Sequence, residues 1–212
     1  MIFHAVIFDL DGVICSTDEY HYLAWKELAD RLGIRFDRSI NNRLRGVSRM
    51  ESLDIILEHY NGAPLTLENK HILAEQKNKI YRRHLEKMSP ADLPANVRET
   101  LYALRLQGIK LAIGSSSKNA SLILERIGLG DFFDAVADGN CIVCSKPDPE
   151  VFLKAASMLK EDPSSCLVME DAVSGAQAGH AGGFAVACVG DAARVAAGDY
   201  NLERVEEILN LL

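Results

Sequence analysis

The sequence predicts an α/β protein, with a doubly wound parallel-sheet (Rossmann-like) core and a small helical cap domain inserted after the first strand. Three observations carry this expectation. From about residue 93 onward, short apolar runs alternate with helical segments, the pattern of strands joined by crossover helices. Between Ser16 and about Asp92 only helical spacing is visible. Finally, each strand-like run of the α/β part ends in polar residues with chemical potential.

In chain order, "VIFD" is a buried strand that runs directly into Asp9-Leu10-Asp11-Gly12. The pattern then changes period. Tyr20, Leu23, Ala24, Leu28 and Leu32 fall on one face of a helix from Thr17 to Leu32, with Gly33 as its stop. Ser48 and Glu51 form a capping-box pair at the head of a helix to about Tyr60. Asn61-Gly62 and Pro64 break the chain, and Thr66 to Met88 reads as a long charged helix. The remainder alternates: helix Asn96–Gln107, strand and loop "KLAIGSSS", helix Asn119–Ile127 ended by Gly128, strand "FDAVAD", helix Pro149–Leu159. Strand and loop "SCLVMEDA", helix Val173–Ala181, strand "FAVACVG" and a last helix over Leu202–Leu212 complete it. The expected domains are therefore a core of residues 1–15 and 93–212 and a cap of residues 16–92.

Composition narrows the function classes. The chain is 48% hydrophobic and 25% charged, enough for a sizeable core. Its net charge of −7 and lack of a basic block argue against nucleic acid and favour a metal ion or small ligand. No apolar run approaches the roughly 18 residues of a membrane span, and the start lacks a basic leader and cleavage pattern. Five scattered cysteines argue against a disulfide framework and for a reducing cytoplasm. Cys141 and Cys144 form a lone C-x-x-C, read as two small half-buried residues ahead of a metal or redox pair.

The strand ends supply the chemistry. Asp9 and Asp11 follow the first strand, Ser115 and Ser117 the second, Lys146 the third, and Glu170 and Asp171 the fourth. In an open parallel sheet these ends meet in one crevice. Four carboxylates around one lysine need further positive charge, and carboxylate-only ligands favour Mg²⁺ with a substrate phosphate as an additional ligand. The serines can hold that phosphate and Lys146 can neutralise it, an arrangement suited to phosphoryl transfer. Asp9 is then the nucleophile, carrying the phosphoryl group, and Asp11 the general acid/base. Taken singly, each motif has a plainer reading: Asp-x-Asp-Gly as a turn or calcium-loop fragment, Glu170-Asp171 or Ser115–Ser117 as helix caps, Lys146-Pro147 as a loop. Their joint occurrence at strand ends, in this order, favours the site.

"FDLDGV", "SSSKN", "SKPDPEVF" and "MEDAVSGAQAG" resemble the motifs of the haloacid dehalogenase superfamily of phosphotransferases, over essentially the whole chain. The resemblance implies that Asp9 is the nucleophile, Asp11 the acid/base, and Ser115 and Lys146 the phosphate-holding pair. It also implies that Asp9, Glu170, Asp171 and the backbone carbonyl of Asp11 bind Mg²⁺, that Lys146-Pro147 is a position of cis peptide bonds, and that the insert is a mobile cap. "STDEYHYLAWKELA", "RGVSRMESL" and "KNKIYRR" are similar to stretches of the superfamily's sugar-phosphate mutases, which interconvert beta-glucose 1-phosphate and glucose 6-phosphate. On that likeness Thr17 belongs to the hinge region, His21 and Trp25 lie near the sugar, and Arg49 grips the non-transferring phosphate. Gly46, Val47, Ser48 and Ser52 surround Arg49, while Lys77, Ser116, Ser117, Lys118 and Asn119 complete the sugar and distal-phosphate contacts. It further implies beta-glucose 1,6-bisphosphate as phosphoryl-donating activator, a small-molecule sugar phosphate as the partner, and a monomer. Cys15 and Ser16 stand where threonine and aspartate are usual, and Ala172 where serine is common. A sugar-phosphate phosphatase of the same superfamily shares every core motif, and a non-catalytic binding protein on this scaffold is the remaining alternative.

Overall fold

The computed structural model describes residues 3–44 and 48–212. The chain forms two compact units, one drawn from Met1–Ser16 and Met88–Leu212, the other from Thr17–Lys87. Strand β1 (Ala5–Phe8) opens the first unit. Helices α1 (Asp18–Arg31), α2 (Arg38–Asn42), α3 (Arg49–Leu57) and α4 (Leu67–Leu85) make up the second. The chain then returns through α5 (Ala95–Leu106), β2 (Lys110–Gly114), α6 (Ala120–Arg126), β3 (Ala135–Ala137) and α7 (Glu150–Leu159). It ends with β4 (Cys166–Glu170), α8 (Val173–Ala181), β5 (Ala185–Cys188), α9 (Gly190–Arg194) and β6 (Tyr200–Asn201).

The sheet is parallel throughout, in the order β3-β2-β1-β4-β5-β6. Both faces are covered, so β1 is buried at every position, which explains its unbroken apolar run. On one face Ala5, Ile7, Ala112 and Val168 pack with Val151, Phe152 and Ala176. Phe8 pairs in register with Ile113 of β2 and Met169 of β4, so the residues that follow these strands emerge side by side. The strand order reverses direction between β1 and β4, the crevice where doubly wound sheets take ligands.

In the Thr17–Lys87 unit, α1 packs along α4 through Ala24, Trp25, Leu28, Ile80 and Tyr81. The Ser48–Glu51 capping box forms at the head of α3, and a second box, Thr66 with Asn69, opens α4. The break between units falls at Lys87/Met88, five residues before the 92/93 boundary read from the sequence. The reason is local: Pro90–Asp92 is a 3-10 turn whose Pro90 carbonyl accepts from Arg98 at 2.9 Å, tying it to α5. The final segment also departs from expectation, forming a 3-10 helix over Val205–Asn210 in place of an α-helix. Helices α2 and α9 and strand β6 are further additions, each too short for hydrophobic periodicity to register.

Candidate active site

Four of the strand-end residues meet in the first unit. Asp9 leaves β1 with its N–H bonded to the Met169 carbonyl at 2.9 Å, which fixes it against the end of β4. Lys146 reaches into the gap and donates to Asp9 Oδ1 at 2.5 Å and to Glu170 Oε1 at 2.5 Å. The lysine side chain is 9% exposed and that of Glu170 only 1%, so the pairing is shielded from water. Glu170 uses its other oxygen, Oε2, to accept the backbone N–H groups of Asp171 at 2.9 Å and Ala172 at 3.0 Å. The Lys146–Pro147 peptide bond is cis.

The charges do not balance. Ligand oxygens of Asp9, Glu170 and Asp171 lie within 4.8 Å of one another, and the Lys146 ammonium bonds two of these three carboxylates, Asp9 and Glu170. Burial pushes the Asp9 carboxyl up to about 8; Lys146 opposes the shift and the Glu170 and Asp171 charges add to it. Burial, then the Glu170 and Asp11 charges, raises Asp171 to about 7. Lys146, although buried, is held in its charged form by Asp9 and Glu170. A divalent cation relieves such a deficit of positive charge, and an all-oxygen donor set is the kind that Mg²⁺ takes. The residues present therefore fit that ion. Asp11 is not a member of this group of three; it lies beside it, forming a bridge to Cys15 at the turn after β1.

Two glycines keep the cluster tight. Gly12 has φ +82, and a Cβ there would stand 2.1 Å from Asp171 Oδ2. A Cβ on Gly175, in the first turn of α8, would lie 1.9 Å from the Glu170 carboxyl. Neither position admits a side chain without moving a carboxylate.

The serine loop follows β2. Ser115 is buried, and its N–H bonds the Ala137 carbonyl at 3.0 Å. Its hydroxyl accepts the Ser117 N–H at 3.1 Å, and the Ser117 hydroxyl accepts the Asn119 N–H at 3.2 Å. Ser116 Oγ is buried without a hydrogen-bond partner. Lys118 is exposed and Asn119 buried. The Lys118 carbonyl accepts from Asn140 Nδ2 at 3.0 Å, so the serine loop is tied to the loop that leads toward Lys146.

The candidate residues of the second unit form their own cluster. Lys77, on α4, is 3% exposed. Its ammonium lies 2.7 Å from His21 Nδ1 and faces the rings of Trp25 at 4.8 Å and Tyr81 at 4.6 Å. Burial first, then the Lys77 and Arg49 charges, lowers the His21 imidazole well below its usual range, so it is neutral and can accept from the ammonium. Arg49, at the start of α3, donates to Glu75 Oε1 at 3.1 Å and to Asn78 Oδ1 at 3.2 Å. Ser52 is buried one turn further along and Thr17 is buried ahead of α1. Ser48 caps α3, the plainer role, by accepting the Glu51 N–H at 3.3 Å. Gly46 and Val47 lie outside the described residues.

Sequence reasoning missed Tyr81, which stacks on His21 at 4.1 Å; its position four residues beyond Lys77 on a helix was the available signal. It also missed Glu75 and Asn78, the partners of Arg49, and Asn140. Cys141 and Cys144 are both exposed rather than half-buried, and neither joins a group of metal-ligating side chains among the described residues.

Comparison with known proteins places this geometry in context. The family model for haloacid dehalogenase-like hydrolases matches residues 3–183. A Bacillus subtilis protein named beta-phosphoglucomutase is 45% identical over 185 residues, covering 86% of this chain and 81% of the relative. A Thermotoga maritima phosphorylated carbohydrates phosphatase is 32% identical over 217 residues, covering 98% and 97%. The crystal structure of beta-phosphoglucomutase from Clostridium difficile superposes with a TM-score of 0.86 at 35% identity, covering 98% of this chain and 93% of that one.

Proposed function

Because this chain belongs to the haloacid dehalogenase-like hydrolase family, we propose that it is a Mg²⁺-dependent phosphotransferase interconverting beta-D-glucose 1-phosphate and glucose 6-phosphate through an aspartyl-phosphate enzyme and beta-glucose 1,6-bisphosphate. The observation that carries the reading is the buried cluster in which Lys146 bridges Asp9 and Glu170 beside Asp171, where the positive charge supplied falls short of the negative. A site that requires more positive charge suits a metal–phosphate ligand better than any neutral one.

In this reading Asp9 Oδ attacks the phosphorus of the bisphosphate; the phosphorus–oxygen bond to the sugar breaks as the aspartyl phosphate forms. Asp11 gives its proton to the departing sugar oxygen and takes one back from the attacking hydroxyl in the reverse transfer. Ser115 and Lys146 hold the phosphoryl oxygens. Asp9, Glu170 and Asp171, with the backbone carbonyl of Asp11, would hold Mg²⁺, which when bound supplies positive charge to those same oxygens. Thr17, His21 and Trp25 lie near the sugar, Lys77 and Ser116 to Asn119 complete the sugar and distal-phosphate contacts, and Arg49 with residues 46–48 and Ser52 holds the phosphate that is not transferred. That second grip distinguishes a mutase: the bisphosphate must remain bound while its two phosphates exchange places, and a guanidinium is suited to hold one of them bidentately. Isomerisation also requires that a sugar hydroxyl, and not water, collect the phosphoryl group from Asp9.

The test offers beta-glucose 1-phosphate with Mg²⁺ and a trace of glucose 1,6-bisphosphate and follows glucose 6-phosphate and inorganic phosphate together. Glucose 6-phosphate without matching inorganic phosphate is the expected result. Inorganic phosphate with free glucose would establish the second reading, a sugar-phosphate phosphatase, which the likeness to the Thermotoga maritima phosphatase favours.

A further inference from the structure

The loop that delivers Lys146 runs from Asp138 to Pro149, between β3 and α7, and most of it faces solvent: Cys141, Cys144 and Ser145 are exposed and Val143 is 92% exposed. Ile142 packs against the hydrophobic core and anchors the loop there, but Val143 to Ser145 beyond it have no such burial. Yet its end must place one ammonium between two carboxylates with both contacts at 2.5 Å. Something polar has to set the loop.

Glu150, the first residue of α7, reaches back across the loop. Its Oε2 accepts the backbone N–H groups of Val143 and Cys144, both at 2.8 Å. Its Oε1 pairs with Lys154 at 3.2 Å, and Lys154 also donates to the Cys141 carbonyl. Asp148 completes the return, its carboxylate accepting the Glu150 N–H at 2.9 Å and its own N–H bonding the Ser145 carbonyl at 3.1 Å. The segment just before Lys146 is thus clamped to a rigid helix by a carboxylate that lies nowhere among the strand-end acids. Resting on the role proposed above for Lys146, we infer that Glu150 is a positioning residue, holding residues 143–144 so that the Lys146 ammonium stands between Asp9 and Glu170. Those two N–H bonds, together with Lys154, hold the Glu150 carboxyl below its usual range, as a charge-assisted clamp should.

The test measures Lys146 itself, without substrate. Wild type and Glu150→Ala are acetylated with an N-hydroxysuccinimide ester, and the rate at each lysine is read by peptide mass spectrometry, with exposed Lys87 and Lys160 as references. Losing one ionised acceptor that serves two N–H groups corresponds to a change of about 10- to 100-fold in the population of the clamped state. Lys146 is therefore expected to react at least about tenfold faster in Glu150→Ala. The kcat for a small phosphate ester should fall as well, in proportion to the clamped fraction lost, with KM changed far less. Glu150→Gln keeps an acceptor oxygen but loses the charge, and should fall between wild type and Glu150→Ala in both readouts. If the alanine variant does not fold, Glu150→Asp, which withdraws the acceptor by one methylene, should show an intermediate effect. A Lys146 acetylation rate unchanged in Glu150→Ala, or in Glu150→Asp where that is the variant used, would overturn the inference and leave Glu150 a helix-start residue of structural value only. Failure of the mutase reading would instead appear as a wild-type enzyme that leaves beta-glucose 1-phosphate unisomerised, whatever the acetylation ratio.

Discussion

Binding of Mg²⁺ to this protein at neutral pH should expel protons, and the number follows from the crowding at the strand ends. Without a cation, Asp9 at about 8 and Asp171 at about 7 are both raised, burial being the largest cause for each. At pH 7 both carboxyls are then substantially protonated, so on the order of one proton departs for each ion bound. The sign is fixed: affinity strengthens as pH rises, so the apparent Kd should tighten steadily between pH 6 and 8. Titration calorimetry at pH 7 in buffers of different ionisation enthalpy gives the count as the slope of observed enthalpy against buffer enthalpy. A slope of zero, with a Kd flat from pH 6 to 8, would mean that all three carboxylates are already ionised around one lysine, and the argument from burial and like charge would fail. The same shifts set metal-free stability. Because the folded values lie above the ordinary 3.8, this contribution is full below about 3.8 and is lost as pH rises through 7 and 8. In chelator Tm should therefore fall from pH 6 to 9, and saturating Mg²⁺ should flatten that slope.

Lys146→Met removes the ammonium bonded to both Asp9 and Glu170; breaking so buried a pairing costs about 3–5 kcal/mol, lessened where Asp9 takes up a proton, so thermal unfolding should show a larger loss at pH 9 than at pH 6. Arg49→Ala, which removes the guanidinium bonded to Glu75 and Asn78 on α4, should lower sugar-phosphate isomerisation by about a hundredfold while hydrolysis of a small phosphate ester changes little. Equal losses in the two assays would remove Arg49 from the distal-phosphate role. Gly175→Ala would drive a Cβ to 1.9 Å from the Glu170 carboxyl, so calorimetry should find weakened Mg²⁺ binding even in a variant that still folds.

Much of the fold was legible because its signals are local. An apolar run entering Asp-x-Asp-Gly, a change from strand to helical spacing at Thr17, and Ser48 three residues before Glu51 each need only a few neighbouring residues to be read. The strand-end cluster was legible for a related reason: parallel topology brings distant strand ends together, so Asp9, Lys146 and Glu170-Asp171, from three separate local motifs, become one cluster. What stayed hidden is tertiary. Strand β6, two residues long, exists through its pairing with β5, and nothing in "YN" announces a strand. The Glu150 clamp depends on where a loop folds back, and the contact of Tyr81 with His21 on the packing of α1 against α4. Arg49 and Lys77 drew attention only through resemblance; composition alone reads them as cations on charged helices, and for Lys77 the 3% exposure is what overturns that reading.

The energetics of the two clusters argue for a ligand-handling protein over a bare scaffold. Three carboxylates gathered around one ammonium contribute little to folding; replacing such a buried ionic group by packed apolar side chains is often neutral or stabilising. Here it is instead hemmed in by Gly12 and Gly175, which exclude even a methyl group beside the carboxylates. In the second unit Lys77 is buried against two aromatic faces with a neutral histidine as acceptor, a costly place for a cation if stability were the only end. One unit thus concentrates negative charge that calls for a cation, and the other holds a buried cation suited to a polar or anionic group. A non-catalytic protein of the same fold would gain stability by lacking either cluster, and this chain carries the charged residues of both.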